Sequence, residues 1–259
     1  MRIATWNVNS IRTREDRVLL WLDENEPDVL CMQETKVVDD DFPREGFEER
    51  GYSLSIFGQR TYNGVAIASK LPIEEVELGL PLAGDEDARG IAATVGGVRI
   101  ASLYVPNGRQ LGAEHYQYKL RWLDALRGWM DEGYDPSIPL VLAGDFNIAP
   151  EDRDVHDPAA WEGSVMNSDE VRARLQTLLD WGLVDSLRTV TDEAGVFTWW
   201  DYRGGAFRFN QGLRIDLMLV TDPIRERIDS VKTNRDDRKV RKGVEKPSDH
   251  IPVILELRD

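Results

Sequence analysis

The chain has 259 residues, of which 41% are hydrophobic and 31% are charged, and its formal net charge is −15. This length suits one large α/β domain or two small ones, and no apolar run approaches the roughly 18 to 20 residues that a membrane-spanning helix needs. The N-terminus enters an apolar run at once, so we expect no secretion signal, and a single cysteine, Cys31, excludes an intramolecular disulfide. We therefore expect one cytoplasmic domain over residues 1–259, with Cys31 buried and unreactive.

Strand-like and helix-like segments alternate along the chain. Apolar runs predict strands near residues 2–6, 28–33, 52–57, 64–69, 90–95, 98–105, 139–144, 196–200, 214–220 and 251–257. Apolar residues at helical spacing predict helices over 14–25, 113–131 and 169–181, the first capped by Thr13 with Asp16 at the capping-box position. Because hairpin-like spacings alternate with helical crossovers and no Ser- or Pro-rich linker divides the chain, we expect one α/β domain with mixed sheets.

Seven of the apolar runs each carry a polar or aromatic residue of the kind found in ligand sites. In chain order these residues are Asn7, Glu34, Tyr104, Asp145 with Asn147, Trp199 with Trp200, Asp216, and Asp249 with His250. Ionised groups are costly to bury unless they are paired or bound to a metal. In α/β sheets, moreover, ligands gather at the ends of strands. The pattern predicts one site assembled from most of the chain.

The segment Gly144-Asp145-Phe146-Asn147 is the sharpest local motif. The apolar run before it is typical of a strand covered on both faces, and period-two alternation would direct Asp145 and Asn147 to the same side. An Asp can move a proton, and an Asn can donate to a phosphate oxygen without adding charge, which suits phosphoester chemistry. An Asp-x-Asn turn that caps its own backbone explains the motif equally well.

Asp216 lies inside an apolar strand-like run and needs a cationic or hydrogen-bonding partner there. Arg214, on the same face of that strand, and His250, on a neighbouring strand, are the two candidates. An Asp–His pair would resemble the orienting pair of hydrolytic sites. Because no Ser or Cys nucleophile is evident, we expect water to be the attacking group. Taken alone, a His before an apolar strand is more often a structural residue.

Asn7, Glu34 and Asp249 supply hard oxygen ligands, and the chain contains neither a His-x-x-x-His nor a Cys-x-x-Cys spacing. These ligands favour Mg²⁺ or Mn²⁺ over Zn²⁺. Tyr104 can direct its hydroxyl group at a phosphate, although a core tyrosine is the commoner interpretation of such a position.

A basic segment at residues 232–246 contrasts with the acidic chain. The net charge argues against a polyanionic partner, and a solvated loop is the simplest interpretation of any charged run. However, the segment directly precedes Ser248-Asp249-His250, and a basic loop beside a phosphate-cleaving site would hold the backbone of a nucleic acid. The candidate contacts are Arg238, Lys239, Arg241 and Lys242.

Seven short motifs occur in one order along the chain. They are Trp6-Asn7-Val8-Asn9, Gln33-Glu34-Thr35-Lys36, Tyr104-Val105-Pro106-Asn107-Gly108, Gly144-Asp145-Phe146-Asn147, Thr198-Trp199-Trp200-Asp201-Tyr202-Arg203, Gly212-Leu213-Arg214-Ile215-Asp216 and Ser248-Asp249-His250. This order closely resembles the bacterial exonuclease III family of the endonuclease/exonuclease/phosphatase superfamily, from residue 1 to about residue 256. The resemblance implies a four-layer α/β sandwich, in which two mixed sheets pack face to face with helices outside.

The resemblance also implies a role for each matching residue. Glu34 would be the main Mg²⁺ ligand, with Asn7 and Asp249 beside it. Asp145 would deprotonate the attacking water or protonate the leaving oxygen. The scissile phosphate would be held by Asn147, by Tyr104 and by His250, which Asp216 would orient.

A pocket for a base-less deoxyribose is implied around Trp199, with Leu213 and Ile215 near it. Trp200 stands where the family usually has Phe or Trp. The family activity is Mg²⁺-dependent cleavage of duplex DNA, 5′ to abasic sites and at 3′ ends, and we expect a monomer that does not bind membranes. The alternatives are a superfamily phosphatase or phosphodiesterase acting on phosphoinositides or other small phosphoesters, and a non-catalytic nucleic-acid-binding relative.

Overall fold

The computed structural model describes residues 1–81 and 85–258, which contain two six-stranded mixed sheets packed face to face. The first sheet comprises β1 (Arg2–Asn7), β2 (Val29–Gln33), β3 (Ser53–Phe57), β4 (Val65–Ser69), β11 (Ile228–Thr233) and β12 (Val253–Leu257). The second comprises β5 (Ile73–Leu78), β6 (Gly90–Val95), β7 (Val98–Tyr104), β8 (Leu140–Asp145), β9 (Leu183–Asp185) and β10 (Asp216–Thr221). The strand orders are β11-β12-β1-β2-β4-β3 and β5-β6-β7-β8-β10-β9. Only the pairs β1–β2 and β7–β8 are parallel.

Helices form the two outer layers. They are α1 (Glu15–Asn25), α2 (Glu45–Glu48), α3 (Glu114–Gly133), α4 (Asp169–Asp180), α5 (Ser186–Val190) and α6 (Asp222–Arg225), together with 3₁₀ turns at Ile11–Thr13, Asp39–Asp41, Asp152–Asp154 and Arg235–Arg238. Helix α1 packs on the first sheet, and α3 and α4 pack on the second. The predicted four-layer α/β sandwich is confirmed. None of the helices described is long and apolar enough to cross a membrane.

Both faces of the central strands are buried, which explains why their sequences are continuously apolar. Along β1, Ile3 faces the core between the sheets, and the next residue, Ala4, faces the core under α1. Cys31 on β2 is fully buried between the sheets, as predicted, and burial raises the pKa of its thiol to about 12.

One predicted strand is absent from the residues described, and three observed strands were not predicted. Residues 196–200 form isolated bridges rather than a strand. Strands β5, β9 and β11 were not predicted. Strand β5 reads Ile-Glu-Glu-Val-Glu-Leu, β9 has three residues, and all three strands lie at sheet edges. An edge strand is only partly covered, so its sequence lacks the apolar run by which a buried strand is recognised.

The predicted cap of α1 is wrong. The helix begins one residue later, with Arg14 at the N-cap, and the Thr13 hydroxyl bonds to Ser10 instead. The first amides of α1 are satisfied from a distance, because the Glu245 carboxylate accepts hydrogen bonds from the backbone N–H groups of Asp16 and Arg17. A carboxylate at a helix N-terminus is favourable, and this one comes from the basic segment near the end of the chain.

Glu256 on β12 gives a testable link between pH and stability. A hydrogen bond from Lys232, joined by one from Ser230, lowers the pKa of its carboxyl group to about 2. Because the folded pKa lies below the ordinary value near 4.5, this contribution is present above pH 4.5 and is lost as the pH falls through 2. Solvent screening limits it to about 0.5–1 kcal/mol. We expect Glu256→Gln to lower the free energy of unfolding at pH 7 and to lose that effect near pH 2, as measured by urea titration.

Candidate active site

The side chains predicted to form one site do meet at one edge of the two sheets. Asn7 ends β1, Glu34 directly follows β2, Tyr104 ends β7, Asp145 ends β8, and Asp216 begins β10 opposite Asp145. His250 lies just before β12 and bridges to Trp199. The carboxyl ends of β1, β2, β7 and β8 share this edge, and the antiparallel strands β10 and β12 begin there. The topology therefore gathers residues from across the whole sequence.

Asp145 is a buried carboxylate at the centre of this edge, with a side chain 1% exposed. An ideal Cβ on Gly144 would stand 1.9 Å from the carbonyl oxygen of Leu103, so only glycine allows β8 to approach β7 this closely. Asn7 Nδ2 donates to Asp145 Oδ2 at 2.8 Å. Burial raises the pKa of Asp145 to about 7, although the charge of His250 acts to lower it.

Asp216 pairs with His250, not with Arg214. His250 Nδ1 lies 3.0 and 2.9 Å from the two carboxylate oxygens of Asp216, and its Nε2 lies 3.7 Å from Asp145. Burial alone would lower the pKa of His250, but Asp216 and Asp145 outweigh it and raise the value to about 10. The imidazole is therefore a cation at neutral pH, with Nε2 on the side of Asp145.

Arg214 belongs to a separate buried ion-pair network. Its guanidinium is 1% exposed and binds Asp154 at 2.6 Å and Asp185 at 2.7 Å, and Arg188 also pairs with Asp154. This buried network ties the loop after β8 and the start of α5 to the residues that precede β10. Because Arg214 is bound to Asp154 and Asp185, the carboxylate of Asp216 is available to pair with His250.

Asn147 shows that both interpretations of the Gly-Asp-Phe-Asn motif hold in one place. Its backbone N–H donates to Asp145 Oδ1 at 2.9 Å, which is the local turn. Its side chain is fixed beside this turn, with Oδ1 accepting from Asn107 and Nδ2 donating to the carbonyl of Val105. Asn147 lies beyond the end of β8 at φ +50°, so the predicted strand alternation does not explain its direction.

Glu34 leads the candidate metal centre. Single oxygen or nitrogen atoms of Glu34, Asp145 and His250 lie within 4.8 Å of one another. Because His250 is protonated, the carboxylates are the groups able to hold an ion, and hard oxygen ligands of this kind fit a divalent metal such as Mg²⁺. Glu34 is held at φ +50°, a strained conformation for a non-glycine residue, and pairs with Lys36 at 2.8 Å.

Hydrogen bonds engage the other two predicted metal ligands. Asn7 turns its amide nitrogen toward Glu34 and Asp145, while its oxygen accepts from the backbone of Asn9. Asp249 accepts hydrogen bonds from Asn9 at 2.8 Å and from Trp199 at 3.0 Å. Burial would raise the pKa of Asp249, but His250 and these donors together lower it, so it remains an anion.

Tyr104 lines an open cleft of about 330 Å³ beside Glu34. Its ring packs under the guanidinium of Arg89, 4.9 Å away, and burial raises the pKa of its hydroxyl group well above the ordinary value. The hydroxyl therefore remains protonated and can donate a hydrogen bond. Exposed Tyr62 and Arg109 line the same cleft.

Trp199 is the partly exposed member of the predicted sugar pocket. It donates to Asp249, and the ring of Trp161 meets it edge-on at 6.3 Å. Leu213 and Ile215 are 0% and 1% exposed, so neither presents a surface to a substrate, and these two predicted contacts need correction. The predicted substrate contact of Trp200 needs correction. Its side chain is 1% exposed and packs among Phe197, Phe207 and Ile251, because this ring fills the small core beneath the loop that follows it.

The basic segment is largely committed to internal partners. Arg238 stacks over Tyr202 at 4.7 Å and is 7% exposed, and Arg241 pairs with Glu24 at 2.8 Å. Lys239 pairs with Asp236 at 2.6 Å but remains exposed, as does Lys242. The DNA contacts of Lys239 and Lys242 stay predictions, whereas Arg238 and Arg241 are held by partners within the chain.

Several residues of the site were not predicted individually. Asn9, Lys36 and Asn107 all lie within the motifs quoted from the sequence, two or three residues from a predicted ligand, so their positions were available. Arg89 and Trp161 lie outside every motif, and no local pattern in the sequence points to them.

Comparison with known proteins shows the family to which this chain belongs. The profile of the Endonuclease/Exonuclease/phosphatase family matches residues 4–250. The chain belongs to this family. It is 32% identical to exodeoxyribonuclease III of Haemophilus influenzae, an alignment that covers 100% of both chains.

Solved structures agree. An AP endonuclease of Archaeoglobus fulgidus superposes with a TM-score of 0.95 at 39% identity, covering 99% of each chain. A 3′ phosphatase from Neisseria, bound to a product DNA hairpin, superposes with a TM-score of 0.94 at 42% identity and covers 100% of this chain and 99% of its own. These family members share the sandwich from end to end.

Proposed function

We propose that this protein is a Mg²⁺-dependent DNA repair phosphodiesterase that cuts duplex DNA 5′ to abasic sites and removes 3′ nucleotides or 3′ blocking groups. The observation that carries the proposal is the buried array Asp216–His250–Asp145 beside Glu34. It sets a cation, a proton acceptor and a metal-binding carboxylate within 4.8 Å of one another. The relatives named for exodeoxyribonuclease III, AP endonuclease and 3′ phosphatase activities support DNA as the substrate.

Each side chain of the site would have its own role in the cleavage of the phosphodiester bond. With a pKa near 7, Asp145 is poised to take a proton from the attacking water. The water oxygen bonds to phosphorus while the bond to the 3′ oxygen breaks. The leaving 3′ oxygen takes a proton from solvent water, so the products are a 3′-hydroxyl and a 5′-phosphate. Protonated His250 and the amide of Asn147 stabilise the charge that develops on the phosphate oxygens, and the Tyr104 hydroxyl donates to the same group.

Glu34 would be the principal Mg²⁺ ligand, with Asp249 and Asn7 beside it; Mn²⁺ would fit the same oxygen ligands. The bound ion would polarise the phosphate and favour departure of the 3′ oxygen. Trp199 and Trp161 would form the wall that meets a base-less sugar, and exposed Lys239 and Lys242 would contact the DNA backbone. We further propose that the protein acts as a monomer in the cytoplasm.

A duplex with one synthetic abasic site and separately labelled 3′ ends tests the function. With Mg²⁺ present, we expect incision at the abasic site and shortening of the 3′ end, and we expect both to stop when EDTA removes the metal. A phosphoinositide assayed in parallel should not react. Turnover of the phosphoinositide alone would support the small-phosphoester alternative, and metal-independent cleavage or none on either substrate would contradict the proposal.

The non-catalytic alternative has little support. A binding protein built on this fold would be expected to have lost part of its catalytic set, whereas Glu34, Asp145, Asn147, Asp216 and His250 are all present. Binding of the abasic duplex without any cleavage in Mg²⁺ would favour this alternative.

A further inference from the structure

Lys119 on α3 has no exposed surface and lies beneath the loops that carry the phosphate-binding residues. Its ammonium donates three hydrogen bonds, all to backbone carbonyls: 3.2 Å to Asn107, 2.7 Å to Asn147 and 2.8 Å to Val165. An ammonium has three N–H donors, so every donor is used. The three carbonyls belong to three separate loops, which follow β7, follow β8 and precede α4.

A charge in this position is costly. An ammonium loses its hydration when buried, and this loss is normally offset by a carboxylate partner. Within residues 1–81 and 85–258, Lys119 forms no ion pair, and burial lowers its pKa to about 7 although the more distant charge of Asp145 opposes the shift. Met has nearly the same length and volume and would fill this space without the desolvation penalty. Packing therefore does not account for the charge, whereas its hydrogen bonds do.

The contacts converge on Asn147. This residue is held at φ +50°, in the left-handed region that non-glycine residues seldom occupy. Lys119 binds its carbonyl, and Asp145 accepts its N–H. Lys119 also binds the carbonyl of Asn107, whose side chain donates to Asn147 Oδ1. One ammonium thus fixes both the backbone of Asn147 and the residue that orients its amide.

We propose that Lys119 is a positioning residue of the catalytic site, whose ammonium sets the orientation of the Asn147 amide toward the phosphate without touching the substrate. This inference rests on the proposed phosphodiesterase function. It implies that loss of the ammonium acts on the chemical step through Asn147, whereas a residue that only supports the fold would lower activity whether or not Asn147 is present.

A double-mutant cycle separates these two roles. Single-turnover cleavage of the abasic duplex would be measured for the wild type, Lys119→Met, Asn147→Ala and the double variant, with DNA affinity measured in EDTA. We expect Lys119→Met to slow the cleavage step by about 10- to 100-fold, the scale of a small misplacement of a reacting group. In the Asn147→Ala background, the same change should cost less than about 3-fold, and DNA affinity should remain within about 3-fold throughout.

Arg172→Met is the matched control. Arg172 also donates to a backbone carbonyl of the loop after β8, that of Ala149 at 3.0 Å, and its other hydrogen bond goes to Asp152 rather than to Asn147. We expect this variant to cleave at the wild-type rate. If thermal unfolding shows that Lys119→Met does not fold, Lys119→Gln, which retains an N–H donor, carries the same cycle with smaller effects in the same direction.

Two outcomes would overturn the positioning role. One is an unchanged cleavage rate in the folded Lys119 variant, and the other is an equal loss of rate with and without Asn147. Either result would leave the proposed function intact, because the wild type would still cleave the duplex. If the wild type itself does not cleave, the proposed function fails and the inference falls with it.

Discussion

Asp145→Asn is expected to lower kcat on an abasic duplex by about 10²- to 10⁴-fold, the range for removal of a general base. The amide is nearly isosteric, but its nitrogen cannot accept a hydrogen bond, so the contact with either Asn7 or the backbone of Asn147 is lost while the fold is kept. It cannot accept the proton of the attacking water, however. Steady-state cleavage in Mg²⁺ measures the loss, and fluorescence anisotropy in EDTA checks that DNA affinity is nearly unchanged.

Asp152→Asn provides the control for this substitution. Asp152 is an exposed Asp in the 3₁₀ turn that follows the same loop, where it pairs with Arg172. Its variant should retain wild-type turnover. Near-normal cleavage by the Asp145 variant would remove that residue from the mechanism.

His250→Ala should lower kcat by about 10²- to 10³-fold, the cost of losing one preorganised donor to the transition-state charge. The imidazole is buried and protonated because Asp216 and Asp145 face it. Its removal also leaves Asp216 as a buried carboxylate without its cation, so we expect the melting temperature to fall as well. Initial rates and thermal unfolding, measured on the same preparation, separate these effects.

The pH profile of Asp216→Asn supplies an independent check of the His250 assignment. In the wild type, His250 keeps its proton until the pH rises through about 10. Without the carboxylate of Asp216, the histidine pKa should fall and the alkaline loss of activity should move to lower pH. A profile identical to that of the wild type would show that the charge on His250 does not contribute to the reaction.

Local sequence patterns predicted the buried strands that carry the candidate site, but not the edge strands. Apolar runs located β1, β2, β7 and β8, because strands buried on both faces must be continuously apolar. The polar residues that end these runs, such as Asn7 and Asp145, were therefore visible as candidates. Edge strands such as β5 were missed, because a half-exposed strand need not be apolar.

The sequence by itself determined the chemistry available to this protein: which carboxylates, amides and imidazole it carries, and in what order they follow the strands. The tertiary structure decided which of them are partners. In the folded chain, Asp216 pairs with His250 rather than with Arg214. Glu245 accepts from the first amides of α1, and Lys119 donates to the carbonyl of Asn147. These choices depend on distances between residues far apart in the chain, which periodicity and neighbouring residues do not encode. The physical reason is that local patterns report burial, whereas partners are selected by the packing of the two sheets and their loops.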